Sequence, residues 1–146
     1  KGEIPENEYT LPIGVADVVK SGNQVTIVSF GKIIKEALKA SEKLENDGIS
    51  CEIIDLRTIR PMDHKTILES VKKTNRLVIL EEAWPFGNVS TEICYQVQNR
   101  IFDYLDAPIE KINTADTPAP FSPQLLDEWL PNFESVIKAV KKVVYL

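Results

Sequence analysis

His64 is the one histidine in the sequence, and Cys51 and Cys94 are its two cysteines. A histidine acting as a general base needs an orienting carboxylate and a substrate or nucleophile within hydrogen-bond reach. His64 instead follows Asp63, a residue placed to cap a helix, so it falls in the first turn of a surface helix. It is expected to be structural and solvent-exposed. The sequence has no Gly-x-Ser-x-Gly elbow. The two cysteines lack metal or redox spacing and are expected as buried free thiols in a reducing compartment. Gly31-Lys32 opens a helix but fits neither the dinucleotide fingerprint nor a P-loop, so the glycine is expected only to ease the turn.

What remains is a rim of charge and aromatic surface. Arg57, Arg60, Glu81, Glu82, Trp84 and Asp116 each follow a stretch that reads as a strand. They should therefore gather along one edge of a sheet, where arginines and carboxylates can hold a small molecule or brace another domain. Glu81 and Glu82 are neighbours, so one of them must point away from the sheet face, and no cluster of metal ligands emerges. Trp84-Pro85-Phe86 puts two large rings in a loop, where they must pack within the domain or anchor a partner.

The elements that position this rim are legible from periodicity. Residues 24–29, 49–56 and 76–81 are apolar and rich in β-branched side chains, and read as strands. Residues 16–20 and 109–113 read as weaker ones. Ile34, Ala37, Leu38, Ser41 and Leu44 fall at helical spacing, and Asn46-Asp47-Gly48 ends that helix. Ile67, Leu68 and Val71 mark a second helix after Asp63. Val89, Ile93, Val97, Ile101 and Leu105 mark a third. Asn132 can cap a last helix with the stripe Phe133, Val136, Ile137, Val140, Val143 and Val144, and Lys141 and Lys142 lie near its negative end. Residues 115–123 are proline-rich and continue neither structure for long. Strands that are apolar on both faces need helices on both sides, so the fold class is an α/β sandwich around a mostly parallel sheet.

Composition narrows the function classes. The 146 residues suffice for one well-buried domain, and 43% hydrophobic with 27% charged side chains reads as an ordinary globule. No apolar run approaches the roughly 20 residues of a membrane span. The net charge of −5, from 22 acidic against 17 basic residues, speaks against nucleic acid as a partner. Residues 1–10 are polar and acidic, without an apolar period, and read as a linker. Because the first residue is lysine, the chain is expected to be processed or to be part of something longer.

Five motifs in order carry a family resemblance. The first two are Leu11-Pro12-Ile13-Gly14-Val15-Ala16 and Asp55-Leu56-Arg57-Thr58-Ile59-Arg60-Pro61-Met62-Asp63. Glu81-Glu82-Ala83-Trp84-Pro85-Phe86-Gly87, Leu105-Asp106-Ala107-Pro108 and Ala115-Asp116-Thr117-Pro118-Ala119-Pro120 complete the set. Together they resemble the C-terminal domain of 2-oxoacid dehydrogenase β subunits over residues 11–146, and Ile59-Arg60-Pro61-Met62 resembles the pyruvate dehydrogenase branch. One departure stands out. The family has Val-Gly-Ala-Glu-Ile where this chain has Val89-Ser90-Thr91-Glu92-Ile93, so larger side chains stand where the helix approaches closely.

The resemblance implies a transketolase C-terminal-like fold: a three-layer α/β/α sandwich with a mixed five-stranded sheet. It implies that residues 1–10 link to a pyrimidine-type N-terminal domain. It also implies an α2β2 assembly in which thiamine diphosphate and Mg are held elsewhere, with no cofactor ligand or catalytic residue in this chain. The implied work is assembly with the α subunit and a second β subunit, and docking of the peripheral subunit-binding domain of the lipoyl acyltransferase. That basic partner would meet Asp106, with Asp103, Glu110 and the carboxylate of Leu146 beside it. The implied setting is the bacterial cytoplasm or the mitochondrial matrix. Two other readings stay open: the same domain in a branched-chain or acetoin dehydrogenase, and a stand-alone nucleotide-binding module using Gly31, Arg57 and Asp116.

Overall fold

The structure is a computed structural model that describes residues 6–146. The expected linker falls outside the described residues as far as residue 5, and residues 6–16 run without helix or strand. Five strands form one mixed sheet in the order β1-β3-β2-β4-β5: β1 (Asp17–Lys20), β2 (Val25–Ser29), β3 (Cys51–Asp55), β4 (Leu77–Leu80) and β5 (Glu110–Ile112). All neighbours are parallel except β1, which runs antiparallel to β3 along the edge.

The alternation of side chains explains the layers. Val25 and Ile27 of β2, Cys51 and Ile53 of β3, and Val78 and Leu80 of β4 face α1 (Ile34–Asn46) and α5 (Phe133–Val143). Val28, Ile54, Leu77 and Ile79 face the opposite way, onto α2 (His64–Thr74) and α3 (Val89–Ile101). Both faces of the central strands are therefore dry, and each fully buried aliphatic side chain contributes about 1.5–3 kcal/mol. The buried polar side chains of β2 and β3 are hydrogen-bonded. Thr26 Oγ1 bonds both Ser70 Oγ and Thr74 Oγ1 at 2.7 Å under α2. Buried Glu52 pairs with Lys73 and receives the Gly22 N–H at 3.4 Å. Gly22 itself lies against β3, where a Cβ would come within 2.2 Å of the Cys51 carbonyl carbon.

Helix ends follow the sequence chemistry. Asp63 caps α2 through the Thr66 N–H at 3.0 Å and also accepts the Ala16 N–H at 3.0 Å, tying the entry segment to the helix. Asn132 and Ser135 form a reciprocal capping box on α5. One helix was not expected: α4 (Pro123–Trp129), with Pro123 in its first turn. The proline that ends the preceding loop starts this helix, since its missing N–H is one that no helix start would use. Two expectations about burial are corrected. His64 is half-buried, because it lines a groove against Val89 and Glu92 of α3. Cys94 is also only half-buried, whereas Cys51 is fully enclosed.

Candidate interaction sites

The carboxyl edge of the sheet collects the loops that follow β2, β3, β4 and β5. Arg57, in the left-handed region at φ +55°, places its Nη2 2.5 Å from Asp17 Oδ2, so it braces β1 against β3. Arg60 is exposed and lines an approximately 600 Å3 groove with Ile59, Met62, His64 and Glu92. Glu81 is buried, and its carboxylate accepts the N–H groups of Val89 at 3.2 Å and Ser90 at 2.7 Å. The positive end of α3 is thus filled by the chain's own anion. Glu82 points elsewhere, into a cavity of about 380 Å3 with Lys32, Lys35, Glu36 and Asp127.

Trp84 and Trp129 each donate an indole N–H to the Thr117 carbonyl at 3.0 Å, so the proline-rich loop is pinned between two rings. Asp116 is exposed just before it, and Phe86 is 90% exposed. The rim residues share an edge but form no continuous arginine–carboxylate network, because Arg57 is held at the β1 end and Asp116 lies beyond β5. Gly31 and Arg57 follow the neighbouring strands β2 and β3, whereas Asp116 lies beyond β5, two strands further on from β2. Ser90, larger than the small residue expected at its place, is accommodated: its Oγ bonds Asn88 Oδ1 at 2.7 Å and the side chain stays buried.

The described residues hold no group of three or more histidine, cysteine or acidic side chains able to bind a metal ion. With Glu81 occupying the α3 amino end as well, that helix start does not fit a metal–diphosphate group. Burial pushes the Cys51 thiol up to about 12, and burial raises Cys94 too, so neither is a ready thiolate.

The opposite end of the molecule gathers the acidic residues near the carboxyl ends of α3 and α5. Asp106 Oδ2 lies 3.6 Å from Arg76 Nη2, and Glu110 pairs with Lys142 at 2.7 Å. Asp103 is exposed on the turn Phe102–Tyr104. The backbone here is tightly fixed: Tyr145 Oη donates to the Asp106 carbonyl at 2.8 Å, Arg76 Nε to the Val143 carbonyl at 3.0 Å, and Asn75 Nδ2 to the Tyr104 carbonyl at 2.8 Å. Phe102, Tyr104, Tyr145 and Leu146 are exposed around these charges. Sequence reasoning had no place for Arg76, Lys142 and Tyr145 in this site. Arg76 precedes a strand and so lies on the amino edge, which is the signal that could have found it.

The fold and these motifs define the class. Residues 14–136 match the family described as transketolase, C-terminal domain, and the chain belongs to that family. Over 143 residues it is 51% identical to the pyruvate dehydrogenase E1 component subunit beta of Rickettsia felis, covering 98% of this chain and 44% of that protein. It is 50% identical to the Rhizobium meliloti protein of the same description, covering 98% of this chain and 31% of that one. The acetoin:2,6-dichlorophenolindophenol oxidoreductase subunit beta of Bacillus subtilis is 42% identical, with 99% of this chain and 42% of that protein covered. The chain therefore spans less than half the length of these relatives. A solved structure described as split gene transketolase, inactive beta4 tetramer, superposes with a TM-score of 0.85 at 26% identity, covering 99% of this chain and 47% of that one. No helix among the described residues is long and apolar enough to cross a membrane.

Proposed function

We propose that this chain is the C-terminal assembly and docking domain of a pyruvate dehydrogenase β subunit. The observation that carries the reading is identity of 48–51% to Rickettsia pyruvate dehydrogenase β subunits across 98% of the chain; the acetoin enzyme, at 42%, stands level with one rice pyruvate dehydrogenase β subunit. A branched-chain or acetoin dehydrogenase β subunit is the second reading, favoured by that same acetoin relative. Residues 1–10 are the link to an N-terminal pyrimidine-type domain, and residues 11–146 are the assembly domain.

In the intact enzyme, thiamine diphosphate and Mg support pyruvate decarboxylation and transfer of the acetyl group to lipoyl-lysine. The part assigned to this chain is mechanical. Its carboxyl edge, with Arg60, Glu82, Trp84 and Asp116 outermost, seats the N-terminal half or a neighbouring subunit of an α2β2 assembly. Its acidic end, with Asp103, Asp106, Glu110 and the Leu146 carboxylate, receives the basic peripheral subunit-binding domain of the lipoyl acyltransferase. Asp106 and Glu110 already have cationic neighbours in Arg76 and Lys142. Each pair keeps one partner more than half exposed, and pairs in contact with water contribute little to stability, so an incoming cation can compete for the carboxylates. Such contacts set orientation and encounter rate more than affinity. The setting that goes with this reading is the bacterial cytoplasm or the mitochondrial matrix; the relatives include bacterial and plant mitochondrial proteins.

The isolated chain, given pyruvate, thiamine diphosphate, Mg and an artificial electron acceptor, is expected to show no turnover. Turnover by the chain alone would overturn the assembly-domain reading.

A further inference from the structure

The loops after β2 and β4 leave the sheet in opposite directions. From β2 the chain runs through α1 to β3, and from β4 it runs through α3 to β5 on the other side. Because β2 and β4 are hydrogen-bonded neighbours, the crevice outside their carboxyl ends is the switch point at which open α/β sheets admit ligands. Glu81 closes the α3 side of this crevice. The α1 side stays open as the cavity of about 380 Å3 that Glu82 enters, a volume within the usual range for a small-molecule site.

The lining of this cavity has three parts. Lys32 and Lys35 bring positive charge from the β2 loop and the first turn of α1, Glu82 and Asp127 bring negative charge from the β4 loop and α4, and Leu130 and Phe133 add apolar surface. Two further charges are already engaged: Glu36 accepts the Phe133 N–H at 3.0 Å, and Lys39 sits 3.7 Å above the centre of the Phe133 ring. The first four are different. All are exposed, and among the described residues none of them forms an ion pair. Charges of both signs thus line one cavity without closing on each other. A ligand of a single sign meets repulsion there as well as attraction. A small zwitterion with an apolar tail meets a complementary group at each part of its surface.

We propose that this cavity binds a free α-amino acid with an aliphatic side chain. Its carboxylate lies on Lys32 and Lys35, its ammonium on Glu82 and Asp127, and its side chain against Leu130 and Phe133. All of these groups belong to this chain, so binding needs neither the assembly nor the docking partner.

The test is calorimetric titration of this chain with L-leucine, with backbone amide NMR shifts to locate the site. Saturable binding is expected, with shifts centred on Lys32, Glu82 and Leu130. Isocaproate, which is leucine without the ammonium, and isopentylamine, which is leucine without the carboxylate, should each bind about tenfold more weakly or worse. Lys35→Gln and Asp127→Asn should each weaken leucine binding by a similar factor, and the melting temperature of each variant should stay at the wild-type value because both side chains are exposed. No saturation at millimolar leucine overturns the site, as do shifts centred elsewhere or leucine binding that neither variant alters. Isocaproate binding as tightly as leucine would show a plain anion site, and isopentylamine binding as tightly a plain cation site; either result overturns the zwitterion.

Discussion

The carboxylate of Glu81 accepts the backbone N–H of Ser90 at 2.7 Å, inside the sheet's carboxyl edge. This is where a doubly wound fold ordinarily meets a ligand, because helix amino ends there offer unpaired donors. Here a side chain from the end of β4 has taken that role, and a site of potential chemistry has become a strut between a strand and a helix. Removing the carboxylate leaves buried N–H groups without an acceptor. Glu81→Ala should destabilise the fold by about 2–3 kcal/mol, read as a lower midpoint in urea with an unchanged slope; a midpoint equal to wild type would contradict the strut.

A second carboxylate makes stability depend on pH. Burial alone would push Glu52 up, but hydrogen bonds from Lys73, Ser70 and the Gly22 N–H outweigh it and hold the group below its ordinary value of 4.5. Asp63 is likewise held below 3.8, its desolvation outweighed by bonds from Thr66 and the Ala16 N–H. Both groups bind protons more weakly folded than unfolded. Their stabilisation is complete above the unfolded values and is lost as pH falls through the folded ones. The melting temperature should therefore hold steady near neutrality and drop below about pH 4.5. Glu52→Gln should start lower and fall less steeply; a parallel curve would contradict this account.

The cysteines offer a chemical readout of the fold. With Cys51 pushed up to about 12 by burial and Cys94 raised by the same cause, the native chain should react slowly with a thiol reagent at pH 8. Both thiols should titrate at once in denaturant. Rapid labelling of Cys51 in the native state would show that β3 is not enclosed as described.

Asn132 is the cap with the most complete geometry, closing the amino end of α5 against Ser135. Asn132→Ala should cost about 1 kcal/mol, measurable by chemical denaturation. Asn132→Ser should recover most of it, and no difference between the two variants would remove the cap from the account.

Much of this fold could be read from residue spacing, and the failures have identifiable causes. Strands β2, β3 and β4 announced themselves as apolar runs because both of their faces are buried, and α5 because its stripe alternates cleanly with lysines. Helix α4 stayed hidden since none of its residues is buried, leaving no apolar period to detect, and its Pro123 looked like a stop when it is a start. The rim residues could be assigned to one edge from their places after strands. Their spacing along that edge could not, because the strand order β1-β3-β2-β4-β5 is a property of the packed sheet. The half-burial of His64 depends on α3 folding beside it, again a long-range matter. At the acidic end, the motif gives Asp106 alone, while its neighbours Arg76 and Tyr145 come from distant positions brought together only by the fold.

The central claim is that the acidic end of this domain docks a basic partner. It is tested most directly by calorimetric titration of the chain with the peripheral subunit-binding domain of a lipoyl acyltransferase at two salt concentrations. The account predicts binding that weakens as salt rises and that Asp106→Lys weakens further at low salt, with the variant's melting temperature close to wild type. No binding at low salt, or equal binding by wild type and Asp106→Lys, would contradict it.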